Sequence, residues 1–133
     1  MIKLFIGAKG SGKTKTLIEL VNNAANTSKG SVVCIEKGDK LRFDITSKAR
    51  LIDTDYYNIN NAEKLTGFIA GILASNSDIT DIFVDSSLKI CGNDVNAFEL
   101  LLKDIENVAK DVNLVMTVSI ATDVCPESIK AYT

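Results

Sequence analysis

The apolar positions of the chain alternate between two periods. Ile2 to Ile6 is a short apolar run broken only by Lys3, which predicts a strand. From residue 12 the spacing changes. Leu17, Leu20, Val21, Ala24 and Ala25 fall on one stripe while Glu19, Asn22 and Asn23 fall elsewhere, so an amphipathic helix is expected over 12–26. NTSKG then supplies turn residues, with Gly30 as the stop. SVVCIE at 31–36 is β-branched and reads as a buried strand. After a turn at 38–40, LRFDI (41–45) alternates in the manner of an edge strand, and ARLID (49–53) is another brief apolar run.

The helical period returns over 61–74 through Ala62, Leu65, Ile69, Ile72 and Leu73. Asn60 with Glu63 resembles a capping box, and Gly67 and Gly71 suggest close packing on a sheet. ITDIFVD (79–85) is a strand ending on an acid. The clearest helix is expected over 94–110, where Phe98, Leu101, Leu102, Ile105, Val108 and Ala109 line one face. NLVMTVSIA (113–121) is a last strand, and Pro126 opens the tail PESIKAYT. Strand and helix patterns alternating without repeats or linkers predict an α/β, three-layer architecture in a single domain, 1–133. Its sheet is mainly parallel, of about five strands, with helices on both faces.

Between the first strand and the first helix lies GAKGSGKT, which fits G-x-x-x-x-G-K-[ST] with Gly7, Gly12, Lys13 and Thr14 at the fixed positions. At average residue frequencies roughly one chain of this length in a few hundred matches by accident. Glycines let the backbone curl so that successive N–H groups point inward as an anion nest, and the helix that begins there adds unpaired N–H groups and the positive end of its dipole. The amides of Gly10, Ser11, Gly12, Lys13, Thr14 and Lys15 are the candidate phosphate cradle. Lys13 is placed to reach the β- and γ-phosphates, and the Thr14 hydroxyl to ligate Mg2+.

On these residues the chain resembles the P-loop NTPase superfamily. The resemblance implies the three-layer P-loop fold, Mg-ATP or Mg-GTP as ligand, and an acid ending a second apolar strand near the magnesium. IFVD supplies Asp85 for that place, with Asp53 and Asp55 after LID as rivals. Asp85 is preferred because its strand is longer and precedes the strongest helix. VDSS (84–87) looks like the magnesium strand of RecA-like ATPases. That likeness implies a water-activating acid on a neighbouring strand, for which Glu36 and Asp55 are candidates. It also implies a polar residue sensing the γ-phosphate at the end of the last strand, Ser119 or Thr117. Lys13 joins these as a candidate catalytic residue.

FIGAKGSGKTKTLIELV followed by VVCIEKGD resembles the opening of a thymidine kinase. The chain departs from that pattern in having Ser86 after Asp85, no cysteine-rich zinc lasso, and only Arg42 and Arg50 to clamp phosphates. The deviant loop of partitioning-type ATPases carries an extra lysine where this chain has Ala8; Lys9 is one position late. From its first strand through ESIKAY the chain is similar to short bacterial P-loop proteins, some labelled twitching-motility (pilus-retraction) ATPases. Retraction ATPases are longer and use histidine-containing motifs, so the resemblance implies nucleotide binding rather than that role.

Composition narrows the functions further. Apolar residues make up 46% and charged residues 24%, as in ordinary globular proteins. No apolar run approaches the ~18 residues of a membrane span, and the N-terminus lacks a signal-peptide pattern, so a cytoplasmic protein without membrane insertion is expected. Cys34, Cys91 and Cys125 form no C-x-x-C pair and the chain has no histidine. These facts exclude hydrolases with a histidine base, argue against structural zinc, and predict buried or incidental thiols. The net charge is −2, divided as +6 over residues 1–50 and −8 over 51–133. Sequence halves are not faces, and nucleic acid is not expected as a partner.

The expectation is a Mg-dependent, ATP-binding P-loop protein that is a slow ATPase. It would depend on a homo-oligomer or protein partner, with an arginine finger in trans from Arg42, Arg50 or another protein. The alternatives are a non-hydrolysing nucleotide-binding regulatory module, favoured by Ser86, and a small-molecule kinase of nucleoside type. The guanine-selecting N/T-K-x-D pattern is absent, and the choice between ATP and GTP stays open.

Overall fold

The computed structural model describes residues 1–133. Strands β1 (Ile2–Gly7), β2 (Ser31–Glu36), β3 (Arg50–Asp53), β4 (Ile79–Val84) and β5 (Asn113–Ser119) form one sheet in the order β1-β5-β4-β2-β3. Every pairing is parallel. The helices are α1 (Lys13–Thr27), α2 (Ala62–Ser75), α3 (Ser87–Ile90), α4 (Val95–Glu106) and α5 (Glu127–Lys130).

The order follows from the handedness of parallel crossovers. In leaving β1 for β2 and then β3, the chain places α1 and the 37–49 connection on one face. In returning through β4 to β5 it places α2 and α4 on the other. The α2/α4 face carries the larger core, 24 buried residues including Val33, Ile35, Ile82, Val84, Phe98 and Leu101. The α1 face carries eight, among them Leu17, Val21, Val32, Cys34 and Phe83. From Val32, Ile82 and Leu114 onward, strand alternation assigns successive positions of β2, β4 and β5 to different layers, while the irregular pairing at Ser31/Val32 leaves Ile79 in the larger core as well.

The expected elements shift slightly at their ends. The 12–26 helix is Lys13–Thr27, the 61–74 helix is Ala62–Ser75, and the 94–110 helix stops at Glu106 before turns. The cap of α2 is Asn61, whose side chain accepts from the Lys64 N–H at 2.8 Å; Asn60 instead accepts from Lys64 Nζ at 3.1 Å. LRFDI is not a strand. Leu41 and Ile45 are buried four residues apart, a turn-like spacing continued by Ala49, and the Ile45 N–H bonds back to the Leu41 carbonyl at 3.0 Å. The segment folds over α1 rather than along the sheet edge, where β3 takes the place beside β2.

Gly67 and Gly71 are exposed and a Cβ at either would meet nothing within 4 Å, which overturns the expected close packing. Gly30 does mark a close approach, since a Cβ there would collide with the Asp78 carbonyl. Cys34, Cys91 and Cys125 are free and buried. No helix is long and apolar enough to cross a membrane.

Candidate functional site

The glycine-rich stretch leaves β1 and enters α1 through two residues that need glycine. Gly10 has φ 85° and Gly12, the residue before α1, has φ 89°. L side chains are disfavoured there by contact with the following carbonyl. Gly7 leaves room for the loop: a Cβ on it would lie 2.7 Å from Ser11 Oγ, and that side chain would have to turn away. No side chain caps α1 and its first turn carries no acid. Thr16 is the first residue whose N–H bonds back, to the Gly12 carbonyl at 3.2 Å, so the amides of Gly12, Lys13, Thr14 and Lys15 stand at a bare helix start. The Ser11 N–H is already used, donating to the Ala8 carbonyl at 3.2 Å.

Register and alternation build the rest. Phe5 pairs with Thr117, Val84 with Met116, Ile35 with Val84, and Glu36 with Asp53. One step beyond β4, Asp85 continues the ladder by donating its N–H to the Ile35 carbonyl at 2.8 Å. Thr117, Asp85 and Glu36 thus form a row across β5, β4 and β2 at the carboxyl end of the sheet, on the face that α1 covers. The polar row begins where the apolar positions of those strands, Val115, Phe83 and Cys34, stop.

Asp85 is buried and accepts from several hydroxyls. Thr14 Oγ1 lies 3.1 Å from Oδ1 and 3.3 Å from Oδ2, joining residues 71 apart in sequence. Thr117 Oγ1 donates to Oδ1 at 2.8 Å and accepts the Ser86 N–H at 2.7 Å. Ser86 has φ 56°, a conformation that costs a non-glycine residue about 1–2 kcal/mol. The bond to Thr117 holds it, and Ser87 Oγ adds a second tie by donating to the Thr117 carbonyl at 2.9 Å. Thr117, at 2% exposure, is the polar strand residue joined to the acid. Ser119 is exposed and pairs with Gly7, at the first residue of the glycine-rich stretch.

Lys13 Nζ folds back on its own loop, donating to the Ala8 carbonyl at 3.0 Å and to Ser11 Oγ at 3.3 Å. Partial burial pulls its pKa below the ordinary lysine value, against the opposing pull of the Asp85 charge. Lys15 is exposed on the first turn of α1.

Glu36 is 3% exposed and its Oε2 accepts the Leu41 N–H at 2.9 Å. Burial raises its pKa, partly offset by the Leu41 and Lys40 amides, with the Asp85 and Asp53 charges adding to the rise. Asp55 is not part of this group. It is exposed and paired with Lys37 at 2.7 Å beyond β3, at the far edge of the sheet from β1. Asp53 Oδ1 is engaged by the Gly38 and Asp55 amides, each at 2.8 Å. Of the three acids after apolar strands, Asp85 is therefore the one beside Thr14.

Thr14 Oγ1 and the Asp85 carboxylate are hard oxygen donors, the type of ligand that suits magnesium. Sequence reasoning missed Ser87 and left Ser119 and Thr117 as alternatives. The signal available was parity, since Thr117 is two residues from Val115 and so shares its face.

No family model matches the chain, and no curated protein matches its sequence. Solved structures do. The structure of PCH-2 from C. elegans aligns with 99% of this chain at a TM-score of 0.57 and 13% identity. The chain spans 33% of the length of that protein. At that identity the likeness is one of fold: a five-stranded parallel α/β sheet with helices on both faces, consistent with a P-loop NTPase-like fold.

Proposed function

We propose that the chain binds Mg-ATP through the glycine-rich loop and hydrolyses it slowly, at a useful rate only on assembly with further copies or a protein partner. The observation that carries this reading is the contact of Thr14 with Asp85 at 3.1 Å, beside a helix start whose amides are bare. The fold likeness to PCH-2, an AAA+ ATPase, supports nucleotide binding in general.

In this reading the amides of Gly12, Lys13, Thr14 and Lys15 receive phosphate oxygens. Lys13 exchanges its contact with the Ala8 carbonyl for the β- and γ-phosphates, whose charge offsets the cost of its partial burial. Gly10 and Gly12 give the loop its curvature, Gly7 leaves room for Ser11, and Ser11 lines the loop. Thr14 and Asp85 would hold the magnesium, which when bound neutralises charge on the phosphate oxygens. Thr117 positions Asp85, and Ser119, exposed beside Gly7, is the proposed sensor of the terminal phosphate.

The second reading is a nucleotide-binding regulatory module without turnover, and specific contacts favour it. Ser86 follows Asp85, Asp55 is tied to Lys37, and Glu36 is bound by the Leu41 amide, so each candidate water-activating acid is already engaged or absent. Hydrolysis then requires Glu36 to release Leu41, a change that a partner can supply. For either reading the cytoplasm is the proposed location. ATP binding by calorimetry and phosphate release are to be measured on one sample with magnesium. Binding that is lost in Lys13→Ala and weakened in Asp85→Asn supports the site. Absence of binding to any purine nucleotide rejects both readings, and binding without phosphate release above the Lys13→Ala background selects the regulatory module.

A further inference from the structure

The segment that joins β2 to β3 is rich in cations. Between positions 37 and 50 the chain carries Lys37, Lys40, Arg42, Lys48 and Arg50 against Asp39 and Asp44. The connection that bears them is firmly held. Leu41, Ile45 and Ala49 are buried against α1. Asn22 of α1 donates to the Asp44 carbonyl and accepts the Thr46 N–H, both at 2.9 Å, and Glu36 holds the Leu41 amide.

One apolar residue of this connection is left out of the core. Phe43 is 87% exposed, and the Arg42 guanidinium lies 4.8 Å from its ring centroid. Arg42 also lines a cleft of about 510 Å³, together with Lys48 and Arg50, with Thr46 and Ser47 on its wall. Arg42 shares its charge with Asp39 at 3.3 Å, and Lys48 meets only the neutral Asn26 amide oxygen, at 3.3 Å. Arg50 takes part in none of the three ion pairs of the chain.

We propose that this connection is a binding site for single-stranded nucleic acid, with Arg42, Lys48 and Arg50 on the phosphates and Phe43 as the stacking platform for a base. A cationic track beside an aromatic face is the arrangement that holds a single strand without reading its sequence. A protein partner that docks by apolar contact would need a contiguous patch, whereas Phe43 stands among Arg42, Asp44 and polar loop residues. An acidic peptide would use the cations and leave the ring without a role. The site is separate from the phosphate loop and does not rest on the nucleotide reading.

The test uses the whole chain without added nucleotide, titrated into labelled oligo-dT and oligo-U of roughly 12 nucleotides and followed by fluorescence anisotropy. Binding is expected at about 50 mM salt, with a log–log salt slope near −2, about that of three phosphate contacts on a single strand. Phe43→Ala is expected to weaken binding roughly tenfold. Replacing Arg42 and Arg50 together by Gln is expected to flatten the slope toward about −0.7. Thermal melts of these surface variants control for folding. No binding at low salt, unchanged affinity in Phe43→Ala, or displacement of the oligonucleotide by polyglutamate as effectively as by unlabelled oligonucleotide would overturn the proposal. The last outcome would make the surface an acceptor of acidic peptides.

Discussion

Toward α2 and α4, β4 shows Ile82 and Val84; toward α1 the same strand shows Phe83 and then Asp85. The same split runs through β2, where Val33 and Ile35 join the large core while Val32 and Cys34 lead to Glu36. One layer is apolar along the strands. The other is apolar through Cys34, Phe83 and Val115, and at the carboxyl end of the sheet hydroxyls and carboxylates take over beside the start of α1. The period of two lets one strand serve both ends, because a residue changes layer without any change in backbone. The larger apolar core and the polar row are thereby separated by parity rather than by distance.

The largest test of this separation is Phe98→Ala on α4, where the side chain is fully buried in the large core. A loss of about 3–5 kcal/mol is expected in urea unfolding. Lys13→Ala, in the loop, is expected to change stability by less than about 0.5 kcal/mol. A Lys13→Ala loss as large as that of Phe98→Ala would show that the two layers are not energetically distinct.

A smaller effect should come from Thr117→Val, which removes a hydroxyl while keeping the shape of the strand residue. The Asp85 carboxylate then loses a donor and the Ser86 N–H its acceptor, at a cost of about 1–3 kcal/mol. Adding Ser86→Gly should recover part of this loss by easing the left-handed residue. No recovery would mean that Thr117 does not serve to hold Ser86.

The smallest effect has the opposite sign. Gly67→Ala and Gly71→Ala, on the open side of α2, should each stabilise by about 0.5–1 kcal/mol in thermal or urea melts, since a methyl group there meets no neighbour. Destabilisation by either would indicate that this side of α2 is covered by a partner in solution.

Much of this was legible in the sequence where a local pattern and a tertiary demand agree. β2 and β4 are β-branched runs that must lie inside a parallel sheet, and α4 has one continuous apolar face. The Gly10 and Gly12 bend was legible because glycine takes up a positive φ without the strain other residues meet there. LRFDI misled because alternation of Leu41, Phe43 and Ile45 fits a strand as well as a turn-rich segment clamped by Asn22, and that clamp comes from residues about twenty positions earlier. The fate of Glu36 and Asp55 was hidden for a similar reason. Both sit at strand ends, and only the partners they meet, the Leu41 amide and Lys37, distinguish them. Asp85 against Asp53 could be decided only by strand order, which brings Thr14 to one and not the other.

The burial of all three cysteines has a practical consequence. Burial pushes the thiols of Cys34 and Cys91 up to about 12, with neighbouring carboxylates adding to the rise, and Cys125 is raised as well. Alkylating reagents therefore find little thiolate on the native chain at neutral pH. A single cysteine introduced at the exposed Val124, in the loop after β5, would take up a fluorophore selectively without first deleting the natural ones.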